Sequence, residues 1–366
     1  MELKFLQAPQ IEFLREGKYI QDNETPQQRF QEIVDKVREY APMYSEGLAD
    51  RIEYMIDKNI LSLSTPVLAN FGRPLKKGKN SHPLPASCYI VTVGDSIADI
   101  YNSIGQVAVA SKLGGGVGSD FQLVSQKGTE LDEGFYSNSK LDWIEDSVGA
   151  GQKVSQSSLR RGYNTPFISI EDNDFDGLMK RIDKTNPDKT DRLINNTVGI
   201  ILPKGFRAKL LVDKEAQRRY MEVLKARKKT GKIYMMDEEN SNKNSSPVYK
   251  ELGLSVTTTN ICTEYLQPLF PDLTSVCVIS ALNGTHWDEI EKNPQMIKDA
   301  FMFLDIVNEE YIKLSEGVPF LEKANKSAKE KRDIGLGFLG LAELFQMKGY
   351  AYGDMYSRAL NNKIFS

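Results

Sequence analysis

The run Val198-Gly199-Ile200-Ile201-Leu202 limits what this chain can fold into more than any other stretch. It has no polar side chain, is rich in β-branched residues and stops at Pro203, so it reads as a parallel strand buried on both faces. Strands of that kind belong to α/β folds, where both faces of the sheet are covered. Helical stripes are present in number. Thr25-Pro26-Gln27-Gln28 reads as a capping box with proline at the first helical position, and Phe30, Ile33, Val37 and Tyr40 follow at helical spacing. Leu48, Ile52, Met55 and Ile56 predict a second helix, and Ile97, Ile100, Tyr101, Ile104, Val107 and Ala108 a third, with Asp95 as its N-cap. Residues 213–230 are charged with Tyr220, Val223 and Leu224 on one face, an exposed helix; residues 288–314 predict one or two more, and Asn240 to Ser246 a turn-rich loop.

With 366 residues, 40% of them hydrophobic, the chain can bury a large core in one domain or two. A net charge of −3 gives no basic footprint for nucleic acid, and no apolar run approaches the ~18 residues of a membrane span. No signal peptide is visible, and three cysteines do not make a secreted disulfide scaffold. The expectation is a soluble cytoplasmic protein.

Chemistry concentrates in Thr259-Asn260-Ile261-Cys262-Thr263-Glu264. The preceding Ser255-Val256-Thr257-Thr258-Thr259 is β-branched, which predicts an extended segment with Asn260, Cys262 and Glu264 on one face. An amide, a thiol and a carboxyl would then share one small volume. The plain alternative is a strand with one buried thiol between two polar residues. The other two cysteines, in Pro85-Ala86-Ser87-Cys88-Tyr89-Ile90 and Thr274-Ser275-Val276-Cys277-Val278-Ile279-Ser280, sit in β-prone runs that could be strands of one sheet. No cysteine pair has zinc-knuckle spacing, and His82 and His286 are the only histidines.

Together with Leu63-Ser64-Thr65-Pro66-Val67-Leu68-Ala69-Asn70 and Gly114-Gly115-Gly116-Val117-Gly118, these segments resemble the large (α) subunit of class I ribonucleotide reductase, from about residue 25 to the C-terminus. The resemblance implies that Cys262 becomes a thiyl radical that removes the ribose 3′-hydrogen, and that Cys88 and Cys277 reduce the 2′-carbon and end as a disulfide. It implies Glu264 as the base on the 3′-hydroxyl, Asn260 as the amide holding the ribose hydroxyls, and Thr65 and Ser87 as contacts to substrate or its phosphate. Asp95, with Ser96, would read a dNTP or ATP effector, on a helix that pairs with its twin in a homodimer. The implied reaction takes ribonucleoside di- or triphosphates to deoxyribonucleotides, with the radical supplied by a metal-containing small (β) subunit and thioredoxin or glutaredoxin as reductant. No metal site is expected in this chain.

The implied fold is an N-terminal helical region, residues 1–60, followed in residues 61–366 by roughly half of a ten-stranded α/β barrel. The glycine run at 114–118 lacks the Lys-Ser/Thr of a phosphate loop, and Gly335, Gly337 and Gly340 lack the flanking elements of a dinucleotide fingerprint. In the resemblance both are close-packed barrel segments. Ser155 to Gly162, with Arg160 and Arg161, and Lys184 to Asn196 take the places of specificity segments, though Tyr163 departs from the family's alanine. Gly72 to Pro83, with Lys76, Lys77 and Lys79, reads as a solvated loop. The phosphate-gripping Pro-Thr-Ala-Ser segment, the tyrosine pair and the C-terminal cysteine pair of a complete subunit are not found, so the expectation is the N-terminal portion of a split or truncated chain of phage type, completed by a second polypeptide. Two other readings stay open: an adenosylcobalamin-dependent reductase, and a non-catalytic nucleotide-binding or dimerisation fragment.

Overall fold

The computed structural model describes residues 1–366 apart from Lys18, Asp22, residues 75–83 and 156–161, Lys184 and Leu269. The lysines of the 72–83 loop, Arg160 and Arg161 therefore lie outside the described residues, as does the start of the 184–196 segment. The strands are β1 (Leu61–Leu63), β2 (Cys88–Thr92), β3 (Gly116–Asp120), β4 (Glu130–Asp132), β5 (Phe135–Tyr136), β6 (Tyr163–Ser169), β7 (Val198–Leu202), β8 (Ile233–Asp237), β9 (Val256–Thr259), β10 (Leu266–Pro268), β11 (Ser275–Asn283) and β12 (Ile334–Leu339).

Eight of them form one sheet in the order β1-β11-β2-β3-β6-β7-β8, with β12 pairing β11 along the edge opposite β1. From β2 to β8 every pairing is parallel, and consecutive strands are joined by helices Ile97–Lys112, Leu141–Ser155, Phe175–Ile182 and Lys214–Thr230. This is half of an α/β barrel, as the resemblance implied. β7 is buried along its whole length. Its alternation divides the burial: Val198, Ile200 and Leu202 join the layer beneath the connecting helices, while Ile201 packs with Phe167, Met236 and Val256 on the opposite face. That opposite face carries the β9–β10 hairpin, which pairs with no strand of the large sheet.

Ahead of β1 the predicted helices form as Pro26–Tyr40, with the capping box at Thr25, and Leu48–Asp57. Their apolar stripes do not close on themselves. Phe30, Ile33, Val37, Ile52 and Met55 share one core with Phe303, Leu304 and Val307 of helix Gln295–Ser315 and with Val276 and Val278 of β11. Arg29 is buried there, its guanidinium donating to the carbonyls of Leu68 (2.6 Å) and Phe71 (2.5 Å). An unpaired charge at that depth would cost several kcal/mol, and these bonds with Glu32 offset it. The N-terminal helices thus brace the segment that leads into the site.

Two local expectations are corrected. The cap of helix Ile97–Lys112 is Ser96, whose hydroxyl accepts from the Asp99 N–H at 3.1 Å, because the Asp95 carboxylate is drawn away to Ser125. Residues 238–243 are helical rather than loop, since Asp237 caps them by accepting from Asn240 N–H at 2.8 Å. No helix among the described residues is long and apolar enough to cross a membrane.

Candidate active site

β11 runs antiparallel to β2 with Cys277 directly opposite Cys88. Residues facing each other across such a pair lie ~4.5–5.5 Å apart at Cα, inside the ~4.4–6.8 Å a disulfide spans. All three cysteines are thiols; Cys88 and Cys277 are buried, and Cys262 is exposed. The Cys88 thiol donates toward Glu264 Oε1 at 3.8 Å, across 176 residues of sequence.

Cys262 sits in the connection between β9 and β10, and the extended reading of Asn260 to Glu264 is overturned. The backbone folds back instead: Asn260 N–H donates to the Tyr265 carbonyl (3.2 Å) and Thr263 N–H to the Asn260 carbonyl (3.2 Å). Thr263 takes φ +64°, an unfavourable region for a β-branched residue, and its hydroxyl donates to the Cys262 carbonyl at 2.6 Å. Asn260, fully buried, organises the turn. Its Oδ1 accepts from the N–H groups of Glu264 (3.2 Å) and Tyr265 (3.1 Å), while its Nδ2 donates to Glu264 Oε1 at 2.7 Å. The β-branched run holds only to Thr259, because the Asn260 side chain competes with the strand ladder for backbone donors. Asn260 and Glu264 meet through a turn rather than a pleat, and Cys262 lies between them in that turn, exposed.

Glycines in β3 let the turn lie against the sheet. A Cβ on Gly118 would stand 2.6 Å from the Thr259 carbonyl oxygen and 2.9 Å from the Asn260 carbonyl carbon, and one on Gly116 would press on Ile261 at 3.2 Å. At the end of β3 the buried Asp120 accepts from Gln122 N–H (2.9 Å) and Nε2 (3.1 Å), and that Nε2 also donates to the Thr257 carbonyl. Burial above all pushes the Asp120 carboxyl up to about 6.

Thr65 opens the short helix Thr65–Asn70 after β1, and Ser64 beside it lies 3.3 Å, hydroxyl to hydroxyl, from Ser87. Ser87 in turn donates its N–H to the Cys277 carbonyl at 3.2 Å, so this pair flanks the two buried thiols. Asp95 is joined to a different place: its carboxylate accepts from Ser125 N–H (2.6 Å) and Oγ (2.5 Å). Nearby, Ile97 and Tyr101 are 67% and 54% exposed on the helix that follows.

The sequence did not reveal a second polar group behind the thiols. Tyr265 OH donates to Asp333 Oδ2 at 2.5 Å, and Lys331 Nζ lies 3.1 Å from the same oxygen. Burial, then Cys88, Asp333 and Glu264, holds the Cys277 thiol far above its ordinary range, with Lys331 pulling the other way. Tyr234 on β8 was likewise unforeseen; burial first, then Cys262 and Glu264, raises its phenol. Tyr265 and Asp333 are 68 residues apart, and nothing periodic in the sequence connects them.

A family model described as the ribonucleotide reductase barrel domain matches residues 86–219 and 209–366. The ribonucleoside-diphosphate reductase large subunit of Invertebrate iridescent virus 3 is 24% identical over 420 residues, covering 97% of this chain and 64% of that protein. The large subunit from Plasmodium falciparum (isolate Dd2) is 23% identical over 354 residues, covering 85% of this chain and 43% of its own length. Among solved structures, the Actinobacillus ureae class Id ribonucleotide reductase alpha subunit superposes with a TM-score of 0.85 at 25% identity, over 100% of this chain and 65% of that one. The chain thus spans about two thirds or less of the relatives it matches.

Proposed function

Because this chain belongs to the ribonucleotide reductase barrel family, we propose that it carries the reducing centre of a ribonucleoside-diphosphate reductase large subunit. One observation carries the reading: Cys277 stands opposite Cys88 in register, with Glu264 reaching the Cys88 thiol and Asn260 holding Glu264. A dithiol, a carboxylate and an exposed third thiol on a braced turn are what a radical reduction of a ribose requires.

In this reading Cys262, as a thiyl radical, takes the 3′-hydrogen atom while Glu264 takes the proton of the 3′-hydroxyl. The 2′-hydroxyl leaves as water, with a proton from the Cys88–Cys277 pair. That pair gives the ribose two electrons and its second hydrogen, which goes to C2′, and closes to a disulfide; Glu264 returns its proton to the 3′-oxygen, and Cys262 returns a hydrogen atom to C3′ and is a radical again. A Cys277 thiol held protonated by its burial suits a group that must deliver a proton. Ser87 flanks the dithiol, and Thr65, next in sequence to Ser64, starts the adjoining helix; both are proposed to meet the substrate or its phosphate. A metal-containing small subunit supplies the radical, and an external dithiol of the thioredoxin or glutaredoxin type reopens the disulfide.

The large sheet has open edges among the described residues: β8 pairs only with β7, and β12 only with β11, although β12 is apolar and half-exposed. Further strands on those edges, from a second polypeptide, would complete the barrel. Asp95 and Ser96 are proposed to hold the effector, and exposed Ile97 and Tyr101 to meet a second copy.

The test is deoxyribonucleotide formation by this chain assembled with its complementing chain, a small subunit and a dithiol. Cys262→Ser should abolish turnover and leave nucleotide binding within about twofold of the parent, since it removes no binding group. Substantial turnover by that variant would refute the radical assignment. Turnover that needs only adenosylcobalamin, with no small subunit, would select the cobalamin reading instead.

A further inference from the structure

β12 places an acid beside the buried thiol. It runs parallel to β11 with Ile334 opposite Val278 and Gly335 opposite Ile279. Asp333, the residue before Ile334, therefore comes at the level of Cys277, the residue before Val278, and side chains at matching levels of a parallel pair share a face. Gly335 confirms that face: a Cβ there would lie 3.5 Å from Cys277 Sγ.

Asp333 is not loose. Tyr265 OH donates to Oδ2 at 2.5 Å, and Lys331 Nζ sits 3.1 Å from that oxygen. Lys331 is fixed from its other side, donating to Ser275 Oγ (2.7 Å) on β11 and Gln267 Oε1 (2.8 Å) on β10. Gln267 is itself anchored, donating to Tyr249 OH at 2.9 Å. The group thus joins three elements of the site: the strand bearing Cys277, the hairpin whose turn bears Cys262, and the entry to β12.

We propose that Asp333, clamped by Tyr265 and Lys331, is a positioning residue that governs how readily Cys277 ionises and so sets the rate at which the Cys88–Cys277 pair exchanges disulfides. This rests on the redox role given to that pair above. The groups that bear on Cys277 are Cys88 from β2, Glu264 from the turn, Asp333 and Lys331 from the entry to β12, and Tyr265 beside the turn; Tyr249 reaches the group through Gln267. Burial first, then Cys88, Asp333 and Glu264, disfavour a Cys277 thiolate, and Lys331 favours it. Tyr265, by donating to Asp333, draws part of that carboxylate's charge away from the sulfur.

The step concerned is reopening of the disulfide. An external dithiol attacks one sulfur as a thiolate, forms a mixed disulfide and releases the other sulfur, which takes up a proton. Its second thiol then closes the external disulfide, so two electrons and two protons pass to Cys88 and Cys277. A sulfur leaving beside Asp333 leaves more slowly, and it is quickly reprotonated. That favours keeping the dithiol charged with hydrogen over rapid exchange with chance disulfides.

The experiment uses the full chain carrying Cys88→Ser and Cys262→Ser, in which Cys277 is the one thiol, and follows its reaction with an uncharged dipyridyl disulfide against pH. Each unit of thiol pKa changes the thiolate fraction about tenfold below the pKa. Asp333→Asn should raise the rate about three- to tenfold at a given pH, and Lys331→Gln should lower it by a similar factor. Tyr265→Phe should lower it less. A merely structural role would loosen the site and accelerate all three. The proposal is overturned if Asp333→Asn leaves the rate unchanged or slows it, or if Lys331→Gln accelerates it. Should these rates respond as stated while the complete assembly reduces no nucleotide, the functional reading fails and the control of Cys277 stands.

Discussion

Gly118→Ala adds one methyl group at the place where β3 supports the Asn260–Glu264 turn. The new carbon would stand 2.6 Å from the Thr259 carbonyl oxygen, 2.9 Å from the Asn260 carbonyl carbon and 3.0 Å from Asn260 Cα, all of them backbone. No side-chain rotation relieves such a contact. Ordinary contact begins near 3.4 Å, so the turn must retreat by about 0.8 Å or β3 must bend away by as much. β3 is hydrogen-bonded on both sides, to β2 and β6, whereas the turn's backbone hydrogen bonds lie within its own β9–β10 hairpin, so the turn yields. Overpacking of this kind costs about 1–3 kcal/mol, well within what a chain of this size tolerates. Activity is more sensitive, because a misplacement near 1 Å at a reacting group costs about 10²-fold. The expected variant is therefore folded, about 1–3 kcal/mol less stable in chemical denaturation, and at least about 50-fold slower in deoxyribonucleotide formation by the complete assembly. Gly337→Ala is the control: its Cβ would meet Ala281 Cβ at an ordinary 3.4 Å, and it should change either quantity little. A Gly118→Ala chain with parental turnover would refute the claim that this glycine sets the position of Cys262.

Oxidation or a single turnover should join Cys88 to Cys277 and leave Cys262 as a thiol; peptide mapping under non-reducing conditions checks it, and a Cys262-containing disulfide as the main product would contradict the register. Asp95→Ala should weaken effector binding more than substrate binding in calorimetric titration, since its carboxylate lies with Ser125 and away from the thiols; equal losses would reduce it to a tie between Ser125 and the helix start. Asp120 holds its proton more tightly folded than unfolded, with a pKa of about 6 against 3.8. Its contribution to stability is thus full below about pH 4 and is lost as pH rises through about 6, a change of roughly 2–3 kcal/mol. Asp120→Asn should flatten that part of the stability–pH curve in denaturant titrations, and an unchanged slope would show that another group titrates there.

What could be read from the sequence follows the range of the interactions. The strand Val198–Leu202, the capping box at Thr25 and the stripe Phe30 to Tyr40 are local patterns, and each forms where its periodicity places it. The meeting of Asn260 with Glu264 was legible from their spacing, but the reason for it was not. Strand propensity favours a pleat there, whereas the buried Asn260 amide collects two backbone N–H groups and folds the chain into a turn. Asp95 misled for a similar reason, because a carboxylate before a helix suits a cap until Ser125, 30 residues on, offers it two donors. Asp333 and Tyr265 carried no local signal at all; their meeting depends on β12 lying beside β11.

β11 joins three ladders, meeting β2 over Ser275–Cys277, β12 over Val278–Asn283 and β1 over Ser280–Leu282. The five parallel strands from β2 to β8 pair with sequence neighbours, whereas the Cys88 to Cys277 contact closes a loop of roughly half the chain, the slowest kind of closure. During synthesis and refolding, the side of β2 that bears Cys88 therefore stays uncovered until β11 arrives. Throughout that interval Cys262 and Cys88 can meet as exposed thiols on an unfinished sheet, and an oxidising medium would lock in their cross-link. Refolding yield should accordingly depend on a reductant during assembly and become indifferent to it once β11 has docked.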